Sequence, residues 1–120
     1  MKKILIVEDD ASLNRALGIR LRSSGYEVVS AFDAVQATAA AVRHQPDLMV
    51  LDVSIPGGDG FALADRLQML PETAHVPVVF VTASSRVEFE DDALRRSAAG
   101  FFRKPYAAAD LIATLDQVLA

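Results

Sequence analysis

Five side chains carry the chemistry available to this sequence: Glu8, Asp9, Asp52, Thr82 and Lys104. They follow three short apolar runs, over residues 4–7, 48–51 and 76–81, and a short strand over 101–103. Runs this short, bounded by turn residues, read as strands buried on both faces. In a parallel sheet their carboxyl ends share one edge, and open α/β sheets bind ligands outside that edge. A single cleft there holds three carboxylates, a hydroxyl and an ammonium. Clustered carboxylates resist ionising together unless a cation intervenes. An all-oxygen donor set suits Mg²⁺, which takes one or two protein carboxylates, keeps several waters and accepts phosphate oxygens as further ligands. Lys104 is then suited to pair with one phosphoryl oxygen and Thr82 to hydrogen-bond another. Asp52 is suited to attack phosphorus and become an aspartyl phosphate, with the protein mainly positioning groups and neutralising charge.

The elements that must position these groups can be read from period and punctuation. After Glu8, Asp9 and Asp10, leucines 13, 17 and 21 recur at helical spacing, with Asp10 or Ser12 as cap and Gly25 as stop. Residues 26–31 read as a strand. Asp33 caps a helix over 34–44, and Pro46 ends it. The stretch D-L-M-V-L-D-V-S-I-P-G-G-D-G at 47–60 is a buried strand running into a tight loop. A third helix is predicted from about Phe61 to Leu70, with Asp59 as its cap and Pro71 as its stop. A fourth covers 87–98, with acids in its first turns and arginines later, as the helix dipole favours. The last runs from Asp110 to Leu119, its leucines four apart. Five strands alternating with five helices call for a doubly wound parallel sheet with helices on both faces and right-handed crossovers.

Composition narrows the partners. At 120 residues the chain is expected to be a single domain, 1–120, with no effector domain. Its 12 basic and 16 acidic residues leave a net charge of −4, with no basic stripe for direct nucleic-acid binding. The absence of cysteine removes disulfides and thiolate chemistry. No stretch reads as a signal peptide or a membrane span, so a cytoplasmic location with no membrane partner is expected. His44 and His75 have no partner at ligand spacing and read as surface residues.

In its motifs the chain resembles the receiver domains of two-component response regulators. The matching pieces are V-E-D-D at 7–10, L-D-V-S-I-P-G-G-D-G at 51–60, F-V-T-A at 80–83 and F-F-R-K-P at 101–105. Each is weak alone; together, in this order and on these strand ends, they are specific. The resemblance implies a flavodoxin-like, five-stranded sheet of order 2-1-3-4-5. It implies that Asp52 is the phospho-acceptor, and that Asp9 binds Mg²⁺ directly while Glu8 acts mostly through water. It further implies that the Ser54 backbone carbonyl is another metal ligand, that Thr82 and Lys104 hold the phosphoryl group, and that Phe101 is a switch aromatic. The Lys104–Pro105 bond is expected to be cis. The small neutral Ser54 and Ser84 fall at two variable positions flanking the phosphoryl group. Implied partners are a histidine kinase or histidine phosphotransfer protein, and an effector protein or linked output domain outside this chain. The domain itself would be a monomer or weak dimer that works as a phosphoacceptor rather than as an enzyme.

Two other functions bear on the same residues. A receiver-like interaction module that works without phosphorylation usually lacks one of the five site residues, and none is missing here. A Mg²⁺-dependent hydrolase with an aspartyl nucleophile wants a second acid two residues on, where this chain has Ser54. Taken singly, Glu8 and Asp9 also suit helix capping, Thr82 a strand end, Lys104 a solvated surface and Phe101 a core position. It is their convergence on one edge that favours chemistry.

Overall fold

The structure, a computed structural model, describes residues 1–120. Five parallel strands form one sheet: β1 (Lys3–Val7), β2 (Glu27–Ala31), β3 (Leu48–Asp52), β6 (Val78–Thr82) and β7 (Gly100–Arg103). Their spatial order is β2-β1-β3-β6-β7. With β6 and β7 as the fourth and fifth strands of the sequence reading, this is the order 2-1-3-4-5. The extra two strands are β4 (Ser54–Ile55) and β5 (Gly58–Asp59), a two-residue antiparallel hairpin inside the glycine-rich loop. Two-residue strands carry no period, so in the sequence this segment shows only as loop.

The apolar runs form the sheet because both of its faces are covered. One face carries α1 (Ala11–Ser23) and α5 (Ala108–Val118). There Ile4, Ile6, Val50 and Val81 pack with Leu21, Leu111 and Leu115. The other carries α2 (Ala34–His44), α3 (Gly60–Gln68) and α4 (Glu88–Arg95). There Leu5, Val7, Leu51 and Phe80 meet Ala37, Ala41, Phe61, Leu67 and Ala93. Alternate residues of each strand therefore serve opposite layers. Leu111 and Leu115 are fully buried, and burial of such a side chain contributes about 1.5–3 kcal/mol.

Asp10, Asp33 and Asp59 cap α1, α2 and α3, each accepting backbone N–H groups of the first turn. Several boundaries differ from those predicted. In α1 the buried positions are Asn14, Gly18 and Leu21, while Leu13 is 47% exposed, so the core face is turned from the leucine stripe. Helix α3 ends at Gln68, before Pro71, and Thr73 then donates its hydroxyl to the Leu67 carbonyl. Helix α4 ends at Arg95 rather than residue 98, because Ser97 turns left-handed (φ 55°) and Ala98 N–H bonds back to Ala93. Helix α5 begins two residues earlier than predicted, with no side-chain cap to mark it.

Candidate functional site

Register brings the polar strand ends to one edge. Val7 pairs with Leu51, Asp52 with Val81, and Thr82 with Arg103. Glu8, Asp52 and Lys104 therefore leave three strands at similar height. The loop after Asp52 is folded tightly against it. Val53 N–H bonds to Val81, Gly60 N–H to Val53 at 2.8 Å, and Ala34 N–H to Pro56 at 3.0 Å. Gly60 permits this path, since a Cβ there would meet the Asp52 carbonyl and the Val53 Cα.

Carboxylate oxygens of Glu8, Asp9 and Asp52 lie within 4.8 Å of one another. Glu8 and Asp52 are buried, 6% and 4% exposed, while Asp9 faces solvent. The Lys104 ammonium bridges the buried two, donating to Asp52 Oδ2 at 2.5 Å and to Glu8 Oε1. Asp52 Oδ1 accepts from Ser54 N–H at 2.9 Å, and Glu8 Oε2 from Asp10 N–H at 3.1 Å. Burial pushes the Glu8 carboxyl up to about 7; the Lys104 hydrogen bond opposes this and neighbouring Asp52 adds to it. Burial would lower Lys104, but its bonds to Asp52 and Glu8 outweigh that and hold the ammonium above its ordinary value. Two buried acids thus share one base.

Thr82 is buried, and its Oγ accepts from Ser84 N–H at 3.0 Å, so its own proton is free to donate. Phe101 is half-buried on β7, opposite Phe80, and lies beside the core rather than in the acidic cluster. The Arg103 guanidinium covers its ring at 5.0 Å and also donates to the Arg86 carbonyl at 3.1 Å. The Lys104–Pro105 bond is cis. His44 and His75 are exposed.

Three nearby residues carry no signal among the sequence motifs. Asn14 hydrogen-bonds the Glu8 carbonyl from a buried position, and the spacing 14, 18, 21 would have pointed to its face. Tyr106 lines the apolar cleft shared with Glu8 and Lys104, which measures about 610 Å³. Burial raises its phenol above the ordinary value, with Lys104 opposing and Glu8 and Asp52 adding. Arg86 lines a second cleft of about 740 Å³ that Asp9 and Ser54 also border. No short motif marks either residue.

The donor set fits a hard divalent cation. Every candidate ligand is an oxygen, three carboxylates converge, and Asp9 accepts from no protein donor. Positive charge is already favoured at this point, as the bridging ammonium demonstrates.

The family model for the response regulator receiver domain matches residues 4–116. Among curated proteins, the chain is 33% identical over 119 residues to the DNA-binding dual master transcriptional regulator RpaA of Synechocystis, covering 99% of this chain and 49% of that protein. It is 35% identical over 118 residues to the phosphate regulon transcriptional regulatory protein PhoB of Pseudomonas aeruginosa, covering 98% and 52%. The chain spans about half the length of these curated relatives. Among solved structures, the chemotaxis response regulator CheY4 of Vibrio cholerae superposes with a TM-score of 0.89 at 29% identity, over 98% of each chain. A response regulator from Chloroflexus aurantiacus gives 0.91 at 29% identity, over 98% of this chain and 97% of that one.

Proposed function

The chain belongs to the response regulator receiver domain family, and we propose that it is a signalling switch thrown by Mg²⁺-dependent phosphorylation of Asp52. The observation that most supports this reading is the Lys104 ammonium held between Asp52 and Glu8, with the Asp9 carboxylate alongside. Glu8, Asp9, Asp52 and the Ser54 carbonyl would hold the metal. When bound, Mg²⁺ supplies the positive charge that lets phosphoryl oxygens approach three acids.

A histidine kinase or histidine phosphotransfer protein is the proposed donor. An Asp52 carboxylate oxygen attacks the phosphorus of phosphohistidine. A P–O bond forms, the P–N bond breaks, and the imidazole leaves with the electron pair. Ser54 N–H keeps the other Asp52 oxygen oriented. Lys104 already touches Asp52 and passes to a new phosphoryl oxygen, while Thr82 donates its free proton to another. Any shift of Thr82 toward the phosphoryl group is felt at Ser84, whose N–H donates to its Oγ, and so in the loop between β6 and α4. Phe101 then turns into the space Thr82 vacates, and the face built from α4, β7 and α5 changes shape. The change is a population shift, bounded by how differently the two states hold the phosphoryl group.

The partner reading the new face is an effector protein or an output domain linked to this chain. The RpaA and PhoB relatives, both transcriptional regulators, make a linked output domain the natural arrangement. A cytoplasmic setting fits the proposed donor, and no helix here is long and apolar enough to cross a membrane.

Intact-mass measurement after acetyl phosphate tests the chemistry. One added phosphoryl group is expected with Mg²⁺, and none in Asp52→Asn. Labelling of Asp52→Asn would sink the Asp52 assignment. No labelling of the wild type would favour a module that works without phosphorylation.

A further inference from the structure

The acid pair Glu8–Asp9 has to present one carboxylate inward and the next outward, and the peptide joining them is a rigid plane. Glu8 is buried and Asp9 exposed. The carbonyl of that peptide belongs to Glu8, and it accepts the Asn14 side-chain amide at 3.1 Å. Asn14 is 1% exposed. Its second N–H reaches the Ala31 carbonyl at 3.2 Å, and its Oδ1 accepts the Ser30 hydroxyl at 2.6 Å. Glu8 N–H also bonds to Ala31 at 3.1 Å. Asn14 therefore ties the end of β1 to the end of β2 through the one peptide that links the acids. Both of its donors and its acceptor are engaged.

We propose that Asn14 is a positioning residue for the metal site, fixing the Glu8–Asp9 peptide so that both carboxylates converge on Asp52. The inference rests on the reading of that site as the Mg²⁺ site. Burying an amide here needs a return beyond packing, since leucine would fill the volume and pack in its place. Groups that orient metal ligands without touching the metal commonly alter affinity by about tenfold or more when removed.

The test is calorimetric titration of the full chain with Mg²⁺ alone, well below the unfolding temperature. Wild type, Asn14→Ala and Leu21→Ala are compared, the last carrying an unrelated core cavity in the same helix. Mg²⁺ affinity about tenfold weaker in Asn14→Ala, with Leu21→Ala near wild type, is the expected result. Equal affinity in Asn14→Ala and wild type, or equal weakening in both variants, would overturn the inference. If Asn14→Ala does not fold, Ser30→Ala replaces it, since the Ser30 hydroxyl orients the Asn14 amide. Two- to threefold weaker binding is then expected, as about a third of a tenfold effect on a logarithmic scale, and unchanged binding would overturn the inference. No Mg²⁺ binding by the wild type would instead remove the metal assignment, and the inference with it.

Discussion

At the scale of single residues, Lys104 holds the resting site together. Its removal leaves two buried carboxylates facing each other without a counter-charge, which is costly even beside solvent. Lys104→Met is expected to lose about 2 kcal/mol of stability without Mg²⁺. Part of that loss should return on adding the metal, because a ligand that binds only the folded state stabilises it. Thermal unfolding with and without Mg²⁺ checks this; a larger Mg²⁺-dependent rise in Tm for the variant than for wild type is the expected sign. Gly60→Ala places a Cβ against the Asp52 carbonyl and Val53 Cα, backbone atoms that cannot swing aside. Overpacking of this kind costs about 1–3 kcal/mol, and denaturant unfolding should read it. The convergence of the five candidate side chains on one edge was legible because they follow the strand runs, which puts type and position on view together. Asn14 was not. A polar residue inside a helix reads as surface until the partners of its amide are known, and those lie in β1 and β2.

At the scale of elements, helix ends were the least legible feature, for a local reason. Many helices stop on a residue in the left-handed conformation, usually glycine. Here α4 stops on Ser97 (φ 55°), which announces no turn, whereas the end of α2 at His44, beside left-handed Gln45 (φ 47°), was marked by Pro46. Ser97→Gly removes the Cβ that this conformation disfavours and should stabilise the chain by about 0.5–1 kcal/mol, measured by chemical denaturation. The β4–β5 hairpin was invisible because two residues cannot show alternation. Arg103 links elements that the sequence keeps apart. It lies over Phe101, donates to the Arg86 carbonyl and sits 3.7 Å from Glu90 on α4. Arg103→Ala is expected to speed amide hydrogen exchange in residues 84–90 while changing global stability by less than about 1 kcal/mol.

At the scale of the molecule, the alternation of strands and helices was legible because fully buried strands read as unbroken apolar runs. Which helices share a face was not, since crossovers leave no local mark. The α1–α5 layer is locked across its edge by Tyr26, whose hydroxyl donates to Asp116 at 2.5 Å. Burial, with the Asp116 carboxylate adding, pushes that phenol from 10.0 up to about 12. The folded state keeps the proton that the unfolded chain gives up. The resulting stability is therefore complete below pH 10 and lost as pH rises through 12. Tyr26→Phe should be less stable by about 1–2 kcal/mol at neutral pH. Urea midpoints at pH 9 and pH 11 should show the gap to wild type narrowing at the higher value.

The division of the sheet into two layers has a consequence for how news of Asp52 spreads. Thr82 leads into α4, in the layer that holds Ala93 and Phe61. Lys104 leads through Pro105 into α5, in the layer that holds Leu111 and Leu115. The sheet stands between them as a partition. Phosphorylation of Asp52, as proposed, would pull from this rim on two ropes, one on each side of the wall. A partner seated along the β7 edge, where α4 and α5 flank the wall, would feel both pulls at once.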